Sequence, residues 1–144
     1  MNLVETNNGN YIYQSKNVQI RDIDTLPPQT VEKIREAAGV IDNYAGHHKS
    51  KITFYDARKD MGESDFYTVD KMLTESMGIS VQKKGENVSH ATWVNRYGNE
   101  VDGKPFLRTI YEKIQWLVEG KESRIVEHKA ETMRNLIKAG KVIA

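Results

Sequence analysis

The chain has 144 residues, of which 38% are hydrophobic and 28% charged, a balance typical of one globular domain and not of a disordered segment. Its 21 Lys and Arg residues nearly balance 20 Asp and Glu residues, and a formal net charge of +1 excludes long-range electrostatic recruitment of nucleic acid or an acidic membrane. The absence of cysteine excludes disulfides, thiolate nucleophiles and Cys-ligated zinc. The length predicts a single domain over residues 1–144. No stretch approaches the ~20 apolar residues that span a bilayer, so we expect no membrane partner.

The first third of the chain predicts strands followed by a helix. Polar residues Thr6–Asn10 predict a loose N-terminal arm over 1–10, and apolar alternation predicts one or two strands within 11–23. Pro27 and Pro28 are tolerated in the first turn of a helix, where the N–H groups lack partners. Apolar residues at helical spacing then predict an amphipathic helix: Val31, Ile34, Ala38 and Ile41.

The middle of the chain predicts a strand, a short helix and a β-hairpin. Residues His47–Lys51 predict a polar turn, and β-branched and aromatic residues predict a strand over Ile52–Tyr55. Gly78 stands where a helix C-terminus favours the left-handed conformation, after apolar residues at helical spacing: Val69, Met72, Leu73 and Met77. Turn residues over Lys83–Asn87 then separate two apolar segments, which predicts a hairpin over 79–94.

Two helices are predicted at the end of the chain. The first is expected to end at Gly120 and carries apolar residues at helical spacing: Leu107, Tyr111, Ile114 and Val118. The second is expected within 121–144, with Ser123 as a candidate N-cap and a similar apolar pattern: Val126, Ala130, Met133 and Ile137. The predicted fold class is therefore α+β, a mostly antiparallel β-sheet with a hairpin, flanked by helices, with two C-terminal helices.

The histidines form no recognised catalytic or metal-binding motif. His47 and His48 are adjacent, and adjacent residues point in different directions on a strand or a helix, so we interpret both as solvated loop residues. His90 opens a single His-x-Thr triplet, whereas two-histidine phosphoesterases use two such triplets to supply both an acid and a base. We therefore expect no catalytic histidine.

A dense charged run lacks the residue pattern of a calcium loop and predicts a solvated loop with local ion pairs: Asp56, Arg58, Lys59, Asp60, Glu63 and Asp65. The sequence therefore predicts that the protein is not an enzyme and holds no metal or cofactor. The rival hypothesis from the enzyme class is a phosphoesterase or nuclease that uses His90 and this acidic run.

The strongest local signal is a strand-to-helix joint. Tyr97 and Gly98 end the predicted strand, Pro105 opens the helix, and Phe106 and Leu107 place apolar anchors on the sheet. The joint reads Asn95-Arg96-Tyr97-Gly98, a short polar link, and then Lys104-Pro105-Phe106-Leu107-Arg108.

This joint resembles a family of tailed-bacteriophage proteins, the neck, tail-completion or virion-morphogenesis minor tail proteins. Their late segment runs Asn-Glu-aromatic-Gly and, a few residues later, Arg-Pro-Phe-Leu-Arg into a C-terminal helix. The resemblance covers about residues 78–118. Arg96 stands where the family has Glu, and Lys104 where it has Arg.

The resemblance implies a structural virion protein that forms a homo-oligomeric ring at the phage head–tail junction, in a neck, tail-completion or tail-terminator role. The implied partners are further copies of the chain, portal or adaptor proteins, tail-tube proteins and, non-specifically, channel DNA. Candidate contacts with that DNA or with a partner are Lys83, Lys84 and Arg96. The implied location is the host cytoplasm during assembly and then the virion.

The rival hypothesis from the binding class is a small phage or bacterial protein that sequesters a nucleotide or inhibits a host protein. It would use the Lys83-Lys84 hairpin together with Trp93 and Tyr97.

Overall fold

A computed structural model describes residues 1–60 and 75–120 of the chain. Its elements, in chain order, are β1 (Asn2–Glu5), β2 (Tyr11–Gln14), β3 (Val18–Ile20), α1 (Pro28–His47), β4 (Ser50–Asp56), a 3₁₀ helix (Ala57–Asp60), β5 (Ser76–Lys83), β6 (His90–Asn95) and α2 (Phe106–Glu119). The predicted α+β fold class, with a mostly antiparallel sheet, a hairpin and flanking helices, is confirmed. The helix predicted within 121–144 lies outside the described residues.

The six strands form one sheet in chain order, β1-β2-β3-β4-β5-β6. The neighbours β3 and β4 pair in parallel, and the other four neighbouring pairs are antiparallel. Because a parallel pair needs a crossover connection, α1 passes over the sheet between β3 and β4. The strands β1 and β6 are the two edges, and the four reversals of direction between them leave both running the same way.

Both helices pack on one face of the sheet. In β4 the residues at alternate positions are buried against them, whereas Lys51 points away and is exposed. The strands supply one side of this core: Val18, Ile20, Ile52, Phe54, Met77, Ile79, Val81 and Val94. We name the opposite side the open face; it carries the alternate residues of the strands, among them Thr53 and Tyr55 in β4 and Ala91, Trp93 and Asn95 in β6.

The helix ends are set by prolines and a glycine, as the sequence predicts. Pro27 precedes α1, whose first residue is Pro28, and Pro105 precedes α2. Gly120 ends α2 with a φ of 65°, in the left-handed region. The polar turn predicted over His47–Lys51 is wrong at both ends, because α1 continues through His47 and β4 begins at Ser50. A histidine in the last turn of α1 is compatible with the negative end of the helix dipole.

Residues 1–10 are not a loose arm, and this prediction is wrong. β1 and β2 form an antiparallel hairpin, and the polar segment is its turn, closed by a hydrogen bond of 2.7 Å from the Thr6 N–H to the Asn10 carbonyl. Gly9 occupies the left-handed region of this turn with a φ of 79°. All four residues of β1 are exposed, so the strand carries no alternation of burial that a sequence pattern can signal.

Gly78 lies inside β5 and caps no helix, so the predicted end of the short second helix is wrong. A Cβ added at Gly78 would overlap the Tyr55 ring, which crosses it on the open face, and this close approach is what requires glycine. Met77, assigned to the same helix, is a buried strand residue. The remainder of that prediction, Val69–Leu73, lies outside the described residues.

The predicted hairpin of β5 and β6 is confirmed. Its return strand begins at His90, two residues later than Val88, which is exposed in the connecting loop.

In the described ranges, 1–60 and 75–120, no helix combines the length and the apolar character needed to cross a bilayer.

Candidate functional site

The predicted strand-to-helix joint rests on the first turns of α1. Asn95 ends β6, and its Oδ1 accepts a hydrogen bond of 2.9 Å from the Tyr97 N–H. The Gly98 carbonyl accepts a hydrogen bond of 2.7 Å from the Lys33 ammonium. Gly98 has a φ of 70°, and a Cβ there would lie 3.0 Å from the Thr30 hydroxyl oxygen, so both conformation and space require glycine.

The second half of the joint anchors α2 on the core, as predicted. Phe106 and Leu107 are 5% and 8% exposed, and the Lys33 ammonium lies 5.9 Å from the centre of the Phe106 ring. Arg108 points outwards, and its Nε lies 3.5 Å from a Glu112 carboxylate oxygen. The second half of the joint therefore combines buried apolar anchors with two exposed cations, Lys104 and Arg108.

Arg96 is the buried residue of the joint, and its prediction as a contact for DNA or a partner is wrong. Its side chain is 4% exposed, and its Nη1 donates to Asp56 Oδ1 at 2.8 Å. Its Nη2 donates to the Thr25 carbonyl at 2.7 Å, and its own carbonyl accepts a hydrogen bond from the Thr30 hydroxyl at 2.7 Å. These donors are used within the protein, so the guanidinium is not presented to a phosphate.

Asp56 is the buried centre of this network. Its carboxylate, which is 0% exposed, accepts hydrogen bonds from Arg58, Thr25 and Arg96. Burial alone raises the pKa of Asp56, but hydrogen bonds from Arg58, Thr25 and Arg96 outweigh it and lower the pKa to about 2. The prediction of a solvated loop is therefore wrong for Asp56, although its ion pair with Arg58 is local.

The two lysines of the hairpin occupy different environments. Lys83 pairs with buried Ser50 in the sheet, and its Nζ lies 3.9 Å from the position of a Cβ built on Gly120, beside the negative end of α2. Lys84 is exposed, and its N–H donates to the Lys49 carbonyl at 2.9 Å. Of the three predicted contact residues, Lys84 is the one whose side chain is exposed.

The histidine and the acidic residue that the enzyme hypothesis would use, His90 and Asp56, lie at opposite ends of β5. His90 pairs with Val81 at one end of β5, whereas Asp56 pairs with Met77 at the other end. His90 Nε2 lies 3.4 Å from Glu86 on the exposed hairpin. Among residues 1–60 and 75–120, no three His, Asp or Glu side chains are placed to hold a metal ion.

The remaining residues of the charged run, and the adjacent histidines His47 and His48, form no site with His90 or Asp56 among the described residues. Lys59 and Asp60 belong to the 3₁₀ helix, and Glu63 and Asp65 lie outside the described residues. His47 and His48 contact each other edge to face at the C-terminus of α1, with ring centres 5.1 Å apart.

Exposed apolar side chains cluster at the two ends of the sheet. Seven large hydrophobic residues are exposed in the described part of the chain, and all lie on or beside an edge strand. We name the first cluster the β1 edge: Leu3 (56%), Val4 (37%) and Tyr11 (52%). We name the second the β6 edge: Val88 (65%), Trp93 (38%), Tyr97 (42%) and Val101 (42%). Trp93 and Tyr97 were predicted from the sequence as candidate contacts, whereas the β1 edge was not, because residues 1–10 were predicted to form a loose arm.

A cleft of about 740 Å³ lies beside the β6 edge, between β6 and α2. Trp93 and Trp116 line it together with the charged side chains of Lys104, Glu112 and Lys113. Lys104 pairs with Glu112 at 3.0 Å, whereas Lys113 has no ion pair within the described residues. The outer backbone groups of β6, which no other described strand pairs, border this cleft and make it receptive to an added strand.

No protein-family model, no curated protein and no solved structure matches the chain. The candidate functions must therefore be judged from the structure. They differ in how they use the two apolar edges, the cleft and the joint.

Proposed function

We propose that this protein is a structural subunit that assembles into a ring. The supporting observation is that two unlike apolar edges lie at opposite ends of one sheet. An unpaired strand edge is a template for pairing with another chain. Contacts between two unlike surfaces are heterologous, and they close into a ring when successive copies are related by a suitable rotation. A single self-complementary patch would instead favour a twofold dimer.

The ring is proposed to act at a phage head–tail junction, in a neck, tail-completion or tail-terminator role. The support for this location is the resemblance of the joint from Asn95 to Arg108. Its partners would be portal or adaptor proteins on one side and tail-tube proteins on the other. Its chemistry is the burial of surface between subunits and not turnover of a substrate. The protein would begin in the host cytoplasm and end in the virion.

Contact with channel DNA is proposed for the exposed Lys84 and not for Arg96, which is buried. A ring multiplies one exposed lysine per subunit into a positive lining, even when each subunit is nearly neutral. Such contacts do not depend on base sequence and are weakened by salt, which suits DNA that must slide past.

The cleft supports a second candidate function, the sequestration of a nucleotide. Trp93 and Trp116 present aromatic surface on which a base can stack, and Lys113 offers an ammonium to a phosphate. Calorimetric titration of the purified protein with ATP tests this candidate. Tight binding that Lys113→Ala weakens at least tenfold would favour it, and no measurable heat at either of two well-separated temperatures would exclude it, because binding enthalpy changes with temperature.

The location of the chain in a particle tests the first proposal. In an electron cryomicroscopy map of the virion, the chain is expected as a symmetric ring on the head–tail axis. A map that places the chain away from this axis would contradict the proposed role, as would a virion that lacks the chain altogether.

A further inference from the structure

We propose that β1 of one copy enters the cleft between β6 and α2 of the next copy and extends its six-stranded sheet by a seventh, parallel strand. This inference rests on the proposed ring and specifies the elements, the direction and the side chains that make its contact. The donor must be another copy, because β1 and β6 of one chain are five strand spacings apart, roughly 24 Å.

The direction of the added strand follows from the topology. Copies in a ring are related by rotation, and a continuous sheet that keeps every helix on the same side must add each copy in the same orientation. Because β1 and β6 run the same way within one chain, β1 of the next copy then lies parallel to β6. A twofold dimer would instead place β6 against β6, or β1 against β1, in antiparallel pairing.

The side chains of β1 divide between the two faces of the sheet. Leu3 pairs with Tyr13, which pairs with the buried Ile20, so all three point to the helix-covered face. The Arg35 guanidinium of α1 lies 4.1 Å from the centre of the Tyr13 ring, which agrees with that direction. Alternation then places Glu5 on the same face as Leu3, and places Val4 on the open face.

The cleft offers matching groups on both faces. A strand added beside β6 would bring Val4 to the open face, where Trp93 is 38% exposed. It would bring Leu3 and Glu5 to the side of α2, where the cleft is lined by Trp116 and by Lys113. The apolar pairs would remove exposed hydrophobic surface, and Glu5 would supply the charge opposite to that of Lys113.

Backbone complementarity supports a strand as the occupant. Both β1 and β6 have one paired side and one outer side within the described residues, so the contact would satisfy backbone groups of both copies at once. The four residues of β1 fit along the six residues of β6. A second copy would therefore supply a strand for β6, apolar side chains for Trp93 and Trp116, and a carboxylate for Lys113, which has no ion pair within the described residues.

Introduced cysteines test this contact without interference, because the chain has no cysteine of its own. Three double variants combine Val4→Cys with Ala91→Cys, Trp93→Cys or Asn95→Cys, the three open-face positions of β6, which covers different registers of the parallel pair. Adjacent strands bring Cα atoms within the range that a disulfide spans. The matched control combines Val4→Cys with Gln82→Cys, an exposed open-face position on the inner strand β5.

Oxidation of at least one β1–β6 double variant is expected to give a ladder of covalent species beyond the dimer, while the control and the single variants stay monomeric on denaturing gels. Dimers from the Val4→Cys or Trp93→Cys single variant would reveal a twofold contact and overturn the proposal. Rings that form in native electron micrographs without a ladder from any double variant would overturn the strand contact but leave the ring intact. A protein that stays monomeric at all concentrations would overturn both.

Discussion

The segment around β6 has an inner side, where a charged residue is buried and paired, and an outer side, where aromatic residues are exposed. On the inner side, Arg96 is 4% exposed and its charge is matched by Asp56. On the outer side, Trp93 and Tyr97 are 38% and 42% exposed, and their apolar surface is left uncovered by the described residues. Neighbouring residues therefore differ in role, since the inner ones stabilise the subunit and the outer ones leave apolar surface that no described residue covers. Substitutions on the two sides should therefore separate stability from assembly.

The largest effect is expected from the apolar anchor of the joint. Phe106→Ala should lower the free energy of unfolding by roughly 3–5 kcal/mol, because it leaves a cavity beneath α2. The matched control is Tyr97→Ala, an aromatic truncation on the outer side, which should change it by less than about 0.5 kcal/mol. Urea unfolding measures both, and equal losses would contradict the division between the two sides.

The next effect is expected from the buried ion pair. Arg96→Met removes one partner of a fully buried carboxylate, a change that costs roughly 3–5 kcal/mol. We expect about 3 kcal/mol, because Arg58 still donates hydrogen bonds to Asp56. In Arg58→Met the lost cation is 42% exposed, so the loss should be about 1 kcal/mol or less. A larger loss in Arg58→Met than in Arg96→Met would show that the inner guanidinium is not the main partner.

A smaller effect is expected from pH. The pKa of Asp56 is lowered to about 2 in the folded protein, below the value of about 3.9 in an unfolded chain. The folded state therefore gains stability above the unfolded pKa and loses it as the pH falls towards 2, by about 2 kcal/mol in total. Urea unfolding of the wild type and of Asp56→Asn between pH 5 and pH 2 measures this. The wild type should lose more stability over that interval, and identical pH dependence would contradict the assignment.

The smallest effect on subunit stability is expected from charges on the outer side. Glu5→Lys and Lys113→Glu should each change the free energy of unfolding of the subunit by less than about 0.5 kcal/mol, because Glu5 is exposed and Lys113 is partly exposed without an ion pair among the described residues. Each single variant should weaken assembly by bringing like charges together, and the double variant should restore it by reversing both. Native mass measurement at equal protein concentration distinguishes these cases. Failure of the double variant to recover would remove Glu5 and Lys113 from the contact.

Local signals predicted most of the fold correctly. Pro105 and Gly120 mark the ends of α2 because their effects on backbone conformation act within one or two residues. The β5–β6 hairpin followed from turn residues between two apolar segments. Gly78 was wrongly predicted as a helix cap, because glycine occurs both at helix ends and where a side chain crosses close to a strand. The side chain that crosses it, Tyr55, belongs to the neighbouring strand β4 and is distant in the sequence.

The candidate site was predicted less completely, because its contacts join residues that are distant in the chain. Arg96 meets Asp56 across 40 residues, and nothing near Arg96 in the sequence signals that it is buried. The β1 edge depends on the position of β1 at the end of the sheet, which is a property of the whole topology. The joint itself was predicted well, since Phe106 and Leu107 are the apolar anchors that its sequence indicates.

The oligomeric state of the purified protein tests the central claim most directly. Native mass measurement, combined with class averages from negative-stain electron microscopy, should show a closed ring of more than two copies. Val4→Lys places a charge on the β1 edge and should convert that ring to monomers. At a protein concentration low enough to dissociate the wild-type ring, the two proteins should have the same urea midpoint within error, because subunit association no longer adds to the stability of the wild type. A wild-type protein that is monomeric or a twofold dimer, or a Val4→Lys ring that forms as readily as the wild type, would contradict assembly through the two unlike edges.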